Sequence, residues 1–281
     1  HLGSVERESL WHIGTILNAP NAEAVQSIRK KRKEKGIDDP LPIMLDVIHG
    51  YRTVYPVPVA LSCSFDTSLI EDCAELAATE AKYDGIDVTF SPMVDLVRDA
   101  RWGRVMESGG EDPYWGGEVG KATIRGYHKG GIACCVKHFA GYGAAEAGKE
   151  YNTTDISDRN LREYYLRPYK ECLKEKPEMF MSSFNLLNGK PILGHKDIMV
   201  DMLRKEWGFD GVVISDYSSV EELYEHGYCA TGEDCARVSI ESGLDIEMGS
   251  TVYAGLLPKL VREGVISEEK LDESVLRVLE L

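Results

Sequence analysis

Short apolar runs alternate with longer amphipathic runs along almost the whole chain. Strands are predicted at residues 14–18, 42–45, 58–61, 88–93, 132–136, 178–184, 212–214 and 244–248, where apolar and β-branched residues cluster over strand length. Helices are predicted at about 21–35, 66–84, 117–128, 157–175, 197–207, from Val220 onward, at 233–242, and in two final segments. In the 66–84 segment Asp66 and Ser68 offer N-caps, Leu69, Cys73, Leu76 and Ala77 form an apolar stripe, and Gly85 is the stop. Pro168 bends or interrupts the 157–175 helix, and Gly208 ends the 197–207 helix.

Alternating β and α elements imply a parallel sheet, either an open doubly wound sheet or a barrel. No G-x-G-x-x-G follows the first strand, which counts against a dinucleotide fold. Long loops follow the strands at Met93, His138 and Phe184, and a barrel keeps its chemistry in such loops. The prediction is an α/β fold, a (β/α)8-type barrel, irregular or incomplete, with about seven strong strands. Residues 1–281 form one catalytic barrel domain in this reading, since no Pro/Gly/Ser linker and no internal repeat divides them.

Three strands end in ionisable groups. Val212-Val213-Ile214 runs through Ser215 into Asp216, Ile43-Met44-Leu45 ends in Asp46, and Ala133-Cys134-Cys135-Val136 ends in Lys137-His138. A carboxylate where a buried strand leaves the core is costly unless it has partners or a task. Any one of them reads equally as a capping or loop residue. Parallel strands, however, deliver all their C-terminal ends to one face, so the three groups converge.

Composition narrows the partners. The chain of 281 residues carries 32 Lys and Arg against 47 Asp and Glu, a formal charge of -15. That argues against a nucleic-acid partner, because binding phosphates needs a basic surface. No apolar run approaches the ~20 residues of a membrane span. The seven cysteines, Cys63, Cys73, Cys134, Cys135, Cys172, Cys229 and Cys235, include no C-x-x-C pair, so no zinc or other metal is expected. Cys134 and Cys135 point to opposite faces of their strand. Buried free thiols favour a reducing, cytoplasmic location. The chain begins at His1, and His1-Leu2-Gly3-Ser4 reads as a remnant of cloning, which leaves a removed export signal open.

Six motifs occur in order: Leu45-Asp46-Val47-Ile48-His49-Gly50; Arg98-Asp99-Ala100-Arg101-Trp102-Gly103-Arg104; Gly110-Glu111-Asp112-Pro113; Val136-Lys137-His138-Phe139; Ser182-Ser183-Phe184-Asn185 with Asn188-Gly189; and Ile214-Ser215-Asp216. Together they resemble the N-terminal catalytic barrel domain of glycoside hydrolase family 3. Lys137 to Gly143, followed by Tyr151-Asn152-Thr153, looks like its β-glucosidase branch.

The resemblance implies a retaining, exo-acting β-glycosidase, foremost a β-glucosidase that releases terminal glucose through a covalent glycosyl-enzyme on Asp216. It puts the sugar-binding positions at Asp46, Arg104, Lys137 and His138, with Tyr217 as an aromatic wall where many relatives carry Trp. Substrates would be β-linked oligosaccharides or aryl β-glucosides, and no cofactor is expected. A β-xylosidase, a β-N-acetylglucosaminidase, or a sugar-binding barrel without turnover are the alternatives. The cations Lys137 and Arg104 would keep Asp216 and Asp46 ionised. Arg104 has a competing role, pairing with Glu107 or Glu111; Arg101 is expected to brace its loop. His49 is left outside the site as a satisfied buried histidine, and Trp102 and Trp115 are read as packing.

Two departures stand out. Relatives often carry Tyr where Phe184 stands, so Asp216 would be tuned by Lys149 or others instead. The larger one concerns the acid/base. Much of the family takes it from a following α/β sandwich domain, absent from this chain, and a single-domain branch uses a His in the loop after Lys-His-Phe. Here that loop reads Ala140-Gly141-Tyr142-Gly143, leaving Glu146 and Glu150 as weak candidates. The last helix ends with Leu271, Val275, Leu276, Val278, Leu279 and Leu281 forming an intact apolar face, which suggests that the natural chain is longer.

Overall fold

The computed structural model describes residues 13–19 and 21–281. The reading of residues 1–4 lies outside them. Six parallel strands form one sheet in the order β1 (Ile16–Leu17), β2 (Ile43–Leu45), β3 (Val88–Thr89), β4 (Ala133–Phe139), β5 (Met179–Ser182) and β8 (Val212–Ile214). Between β5 and β8 in the chain lies a small antiparallel hairpin, β6 (Leu186–Leu187) and β7 (Lys190–Pro191), turning on Asn188-Gly189. The predicted strand at 244–248 is reduced to a single parallel bridge from Ile246 to Ile214. The predicted 88–93 strand also pairs only briefly, because Ser91-Pro92 follows at once and proline has no N–H for the ladder.

The two faces of the sheet have different partners. Val88, Cys135, Met179 and Val212 point to one side with Met44, Leu17 and Ile246, and these residues pack on one another. The alternate set, Ile16, Ile43, Cys134, Val136, Phe180 and Val213, packs beneath helix residues such as Val25 and Ile28 of α1 (Ala22–Glu34), Ala77 and Leu203. A sheet whose inner face packs on itself while its outer face is sheathed in helices is a barrel wall. The fold is thus the expected (β/α)8-type barrel, in an irregular form with six paired strands and one bridged segment among the described residues. Cys134 and Cys135 do lie on opposite faces.

Helices depart from the sequence expectation in three instructive places. Residues 58–61 are not a strand but the start of α2 (Pro58–Ser62), where Pro58 occupies the first turn and loses no helical hydrogen bond. In α3 (Thr67–Tyr83), Asp66 alone is the cap, its Oδ1 accepting from the Ser68 and Leu69 amides. The buried stripe is Ile70, Ala74, Ala77, Ala78 and Ala81, whereas Leu69 and Leu76 are 43% and 55% exposed. Close packing on α4 (Pro113–Gly130) decides this: a Cβ at Gly126 would fall 2.3 Å from the Glu71 carbonyl oxygen, so small faces meet. The 157–175 helix breaks into α5 (Asp158–Asn160), a π-turn at Leu161–Tyr165, α6 (Arg167–Cys172) and a short 3-10 turn; Pro168 cannot donate to the carbonyl four residues back.

The chain continues through α7 (Ser219–Glu225), α8 (Gly232–Glu241), α9 (Val252–Arg262) and α10 (Glu268–Glu280). Val278 and Leu281 join the inner cluster and stop the lower mouth of the barrel, while Val275, Leu276 and Leu279 face outward. Among the described residues no helix is long and apolar enough to cross a membrane.

Candidate active site

The C-terminal ends of β2, β4 and β8 surround a cavity of about 480 Å³ lined by Asp46, Arg104, Lys137, His138, Asp216 and Tyr217. Its floor is the upper edge of the barrel interior, Phe90, Met181 and Met248. A volume of this size suits a small ligand such as a single sugar.

Lys137 is almost fully buried, and its Nζ donates to Asp46 Oδ1 at 2.7 Å, while the Asp46 side chain is 48% exposed toward the cavity. The cation therefore sits behind the carboxylate and leaves its outer oxygen free. Arg104 forms a two-pronged pair with Glu107, Nε to Oε1 at 2.8 Å and Nη2 to Oε2 at 2.9 Å. Burial alone would raise the Glu107 carboxyl, but the Arg104 guanidinium holds it below its ordinary value. Burial likewise opposes the Arg104 charge, and Glu107, with the fields of Asp216 and Asp95 behind it, outweighs that and pushes the guanidinium further up. Both roles weighed for Arg104 thus have a geometric basis: it pairs with Glu107 and it lines the cavity.

His138 is anchored by a residue the sequence reading missed. Asp95 lies in the apolar run Met93–Val97, wholly buried, and its Oδ2 accepts from the His138 backbone N–H at 2.9 Å and faces His138 Nδ1 at 2.8 Å. The Tyr169 hydroxyl lies 2.8 Å from Asp95 Oδ1 and 2.6 Å from the His138 carbonyl oxygen. Burial pushes the Asp95 carboxyl up to about 6, against the pull of these hydrogen bonds and of Arg104 and Lys137. Burial holds the His138 imidazole well below its ordinary value, so the ring is neutral and carries one proton. Nδ1 is closer to Asp95 than Nε2 is to Asp216 Oδ2, 2.8 Å against 3.5 Å, which assigns the proton to Nδ1. Nε2 and Asp216 Oδ2 are then two acceptors facing one point, a place for a ligand hydroxyl to donate.

Asp216 is held by the backbone. Its Oδ1 accepts from the Tyr217 amide at 2.7 Å, and Oδ2 is buried without a hydrogen-bond partner. The flanking residues are pinned to the bridged segment: Ser215 N–H to the Ile246 carbonyl, Ser218 N–H to the Met248 carbonyl, and Met248 N–H to Ser215 Oγ. Tyr217 is 53% exposed at the rim, and Gly249 (φ +86°) gives its ring room, since a Cβ there would come 2.9 Å from Tyr217 Cδ2. Phe184, with no hydroxyl, stacks on His138 at 6.4 Å between ring centroids and packs against Tyr142 and Tyr151.

Several candidates fall elsewhere. Glu150 accepts a hydrogen bond from the Tyr142 hydroxyl, Glu146 and Lys149 are exposed, and none of the three lines the cavity. His49 corrects the sequence reading: it is exposed at the rim and lines the cavity rather than being buried outside it, with Nδ1 3.3 Å from the Tyr55 carbonyl. Arg101 braces its loop through Asp99 at 2.6 Å. Trp102 is buried edge-on to Tyr142, and Trp115 donates to Ser62 Oγ and packs near Phe65. Glu222, one turn into α7, has a buried unpaired Oε2 and is raised to about 7 by burial and then by the charge of Asp216. It lines a groove with Ser218 and Tyr224 rather than the sugar-sized cavity. An acid within an apolar run, as at Asp95, was the available signal; Glu222 looked like any helix-surface glutamate.

Residues 8–281 match the Glycosyl hydrolase family 3 N terminal domain. The periplasmic beta-glucosidase of Salmonella typhimurium is 36% identical over 274 residues, covering 95% of this chain and 36% of that protein. A probable exo-1,4-beta-xylosidase of Aspergillus terreus is 32% identical over 249 residues, 82% of this chain and 32% of that protein. The crystal structure of a beta-glucosidase from Listeria innocua, in a mutant form with laminaribiose, superposes with a TM-score of 0.94 at 45% identity, over 96% of this chain and 39% of that one. The chain thus spans about a third of the length of these relatives, from 32% to 39%. With the ordered motifs and the barrel that carries them, these matches mean that the chain belongs to glycosyl hydrolase family 3, as its N-terminal domain.

Proposed function

We propose that this domain carries the nucleophile and the terminal-sugar pocket of a retaining, exo-acting β-glucosidase. The observation that carries the reading is Asp216: a carboxylate fixed at a strand end, one oxygen bound by a backbone amide, the other unpaired beside a cavity lined with sugar-type donors and acceptors. Asp216 attacks the anomeric carbon as the bond to the leaving oxygen breaks, giving a glycosyl-aspartate. Water then attacks the same carbon from the face the leaving group vacated, and the configuration is retained. Asp46 accepts hydroxyl hydrogen bonds from the terminal sugar, Lys137 and Arg104 supply donors and positive charge, His138 accepts through Nε2, and Tyr217 walls the rim.

The leaving oxygen needs a proton. Among the described residues, the carboxylates on the cavity besides Asp216 are Asp46, bound to Lys137, and Glu107, bound in two prongs by Arg104. Neither is a proton donor, and Glu222 opens to a neighbouring groove rather than to this cavity, so in this reading the acid comes from a further domain of the whole protein. General acid assistance is worth ~100- to 10,000-fold. The chain alone should therefore cleave a dinitrophenyl β-glucoside, whose oxygen leaves unprotonated, and barely touch cellobiose. Equal ordinary rates on both would mean an acid within this chain. A parallel panel of aryl β-xyloside and aryl N-acetyl-β-glucosaminide tests the second reading, favoured by the xylosidase relatives. The seven free thiols favour action in a reducing compartment.

A further inference from the structure

The sequence offers no C-x-x-C pair, and that pattern alone predicts no metal. Folding nonetheless brings three ligand-type side chains together at the end of the barrel opposite Asp216. His128 lies in the last turn of α4, Cys134 is the second residue of β4, and Glu178 immediately precedes β5. We propose that His128, Cys134 and Glu178 form a zinc-binding site that ties α4 to the lower ends of β4 and β5.

The geometry agrees with that assignment. His128 Nε2 lies 3.3 Å from Glu178 Oε2 and 3.7 Å from Cys134 Sγ, and Sγ lies 3.6 Å from Oε2. A tetrahedral ion at ~2.0–2.1 Å from nitrogen and oxygen and ~2.3 Å from sulfur sets its donors roughly 3.4 Å apart for N and O and roughly 3.6 Å apart for each pair with S. The three separations agree with those edges, so the donor atoms stand as far apart as one tetrahedral ion would hold them. The donor set of one imidazole, one thiolate and one carboxylate suits zinc, which takes all three ligand types.

The surroundings are built for the task. Cys134 is fully buried, whereas His128 and Glu178 keep about a third of their side chains in solvent, so an ion enters from their side and water completes the fourth position. The Cys134 backbone N–H donates to Glu178 Oε2 at 3.0 Å, fixing that carboxylate as an outer-shell hydrogen bond does. Thiolate and carboxylate together balance the charge of the ion; the thiol proton leaves to solvent on binding. The ligands stand at positions 128, 134 and 178, a spacing that no sequence pattern would flag.

The test uses Zn²⁺ and Co²⁺ with the full purified chain. Equilibrium dialysis should find one equivalent of Zn²⁺, with a rise in melting temperature as zinc is added. Co²⁺ should give a thiolate-to-metal charge-transfer band and the intense visible absorption of a four-coordinate site. His128→Gln, at a partly exposed position that the fold tolerates, and Cys134→Ser should each lower the affinity at least tenfold, and Cys134→Ser should also remove the charge-transfer band. Cys63→Ser, which alters the exposed thiol far from the cluster, should change nothing. Absence of stoichiometric binding, or a cobalt band that survives Cys134→Ser or disappears in Cys63→Ser, would overturn the assignment.

Discussion

Asp95→Asn isolates the group on which His138 depends. The wild-type carboxyl is wholly buried and raised from 3.8 to about 6, with burial the leading cause. Between about pH 4 and pH 6 the unfolded chain loses this proton while the folded chain keeps it. The folded state then binds more protons, so stability falls as pH rises through that window. The distance from 3.8 to about 6 corresponds to roughly 3 kcal/mol. Asparagine keeps the shape and can keep the bonds: its carbonyl oxygen faces the His138 backbone N–H and Nδ1–H, and its amide donates to the Tyr169 hydroxyl, which still donates to the His138 carbonyl. The variant should be at least as stable as wild type at pH 7, by up to about 3 kcal/mol, and should lose the Asp95 share of the pH 4–6 slope, leaving the part that Glu222 contributes. Activity should move the other way. A neutral acceptor holds the Nδ1 proton less firmly than a charged one, so kcat/KM should drop about 10- to 100-fold. Urea unfolding at several pH values and steady-state kinetics on a dinitrophenyl β-glucoside read both. A variant less stable than wild type by more than about 2 kcal/mol at pH 7, or one whose pH 4–6 slope is as steep as wild type's, would refute the reasoning.

Lys137→Met should raise KM for an aryl glucoside by about 10- to 100-fold, because a charged hydrogen-bond donor behind Asp46 is worth roughly 1.5–3 kcal/mol, and an unchanged KM would detach Lys137 from the pocket. Glu222→Gln should flatten stability between about pH 4.5 and pH 7: the folded carboxyl titrates near 7, so wild type loses stability as pH rises through this range. Unscreened, that difference would be roughly 3 kcal/mol, and solvent screening at this partly exposed site reduces it to about 1–2, read by denaturation at pH 4 and pH 8. Tyr217→Ala should leave the hydrolysis of a small aryl glucoside within about threefold while weakening longer oligosaccharides, as expected of an aromatic wall beyond the terminal sugar; equal losses on both would put the ring against the terminal sugar itself.

What was legible in the sequence was the part set by strand physics. Continuous apolar and β-branched runs marked β4, β5 and β8, and the ionisable residues at strand ends marked the cavity, because a parallel sheet sends all such ends to one face. What was not legible depended on contacts between distant segments. The α3 stripe rotated away from Leu69 and Leu76 because the glycines of α4 demanded small partners. The 58–61 run looks like a strand until its proline is seen opening a helical turn. Asp95 belongs to the site only through His138, 43 positions further on, and the cluster of His128, Cys134 and Glu178 exists only once β4 and β5 are paired.

The central claim is that Asp216 is the nucleophile, and trapping the covalent intermediate tests it most directly. A 2-deoxy-2-fluoro β-glucoside with a dinitrophenyl leaving group reacts without acid assistance and forms an intermediate that breaks down slowly, since the fluorine destabilises the cationic transition state of its hydrolysis. Digestion and mass spectrometry should find one fluoroglucosyl group on the peptide spanning Val212 to Ser219, attached at Asp216, and Asp216→Asn should take up none. A label on Asp46, Glu107 or Glu222, or labelling that persists in Asp216→Asn, would contradict the account.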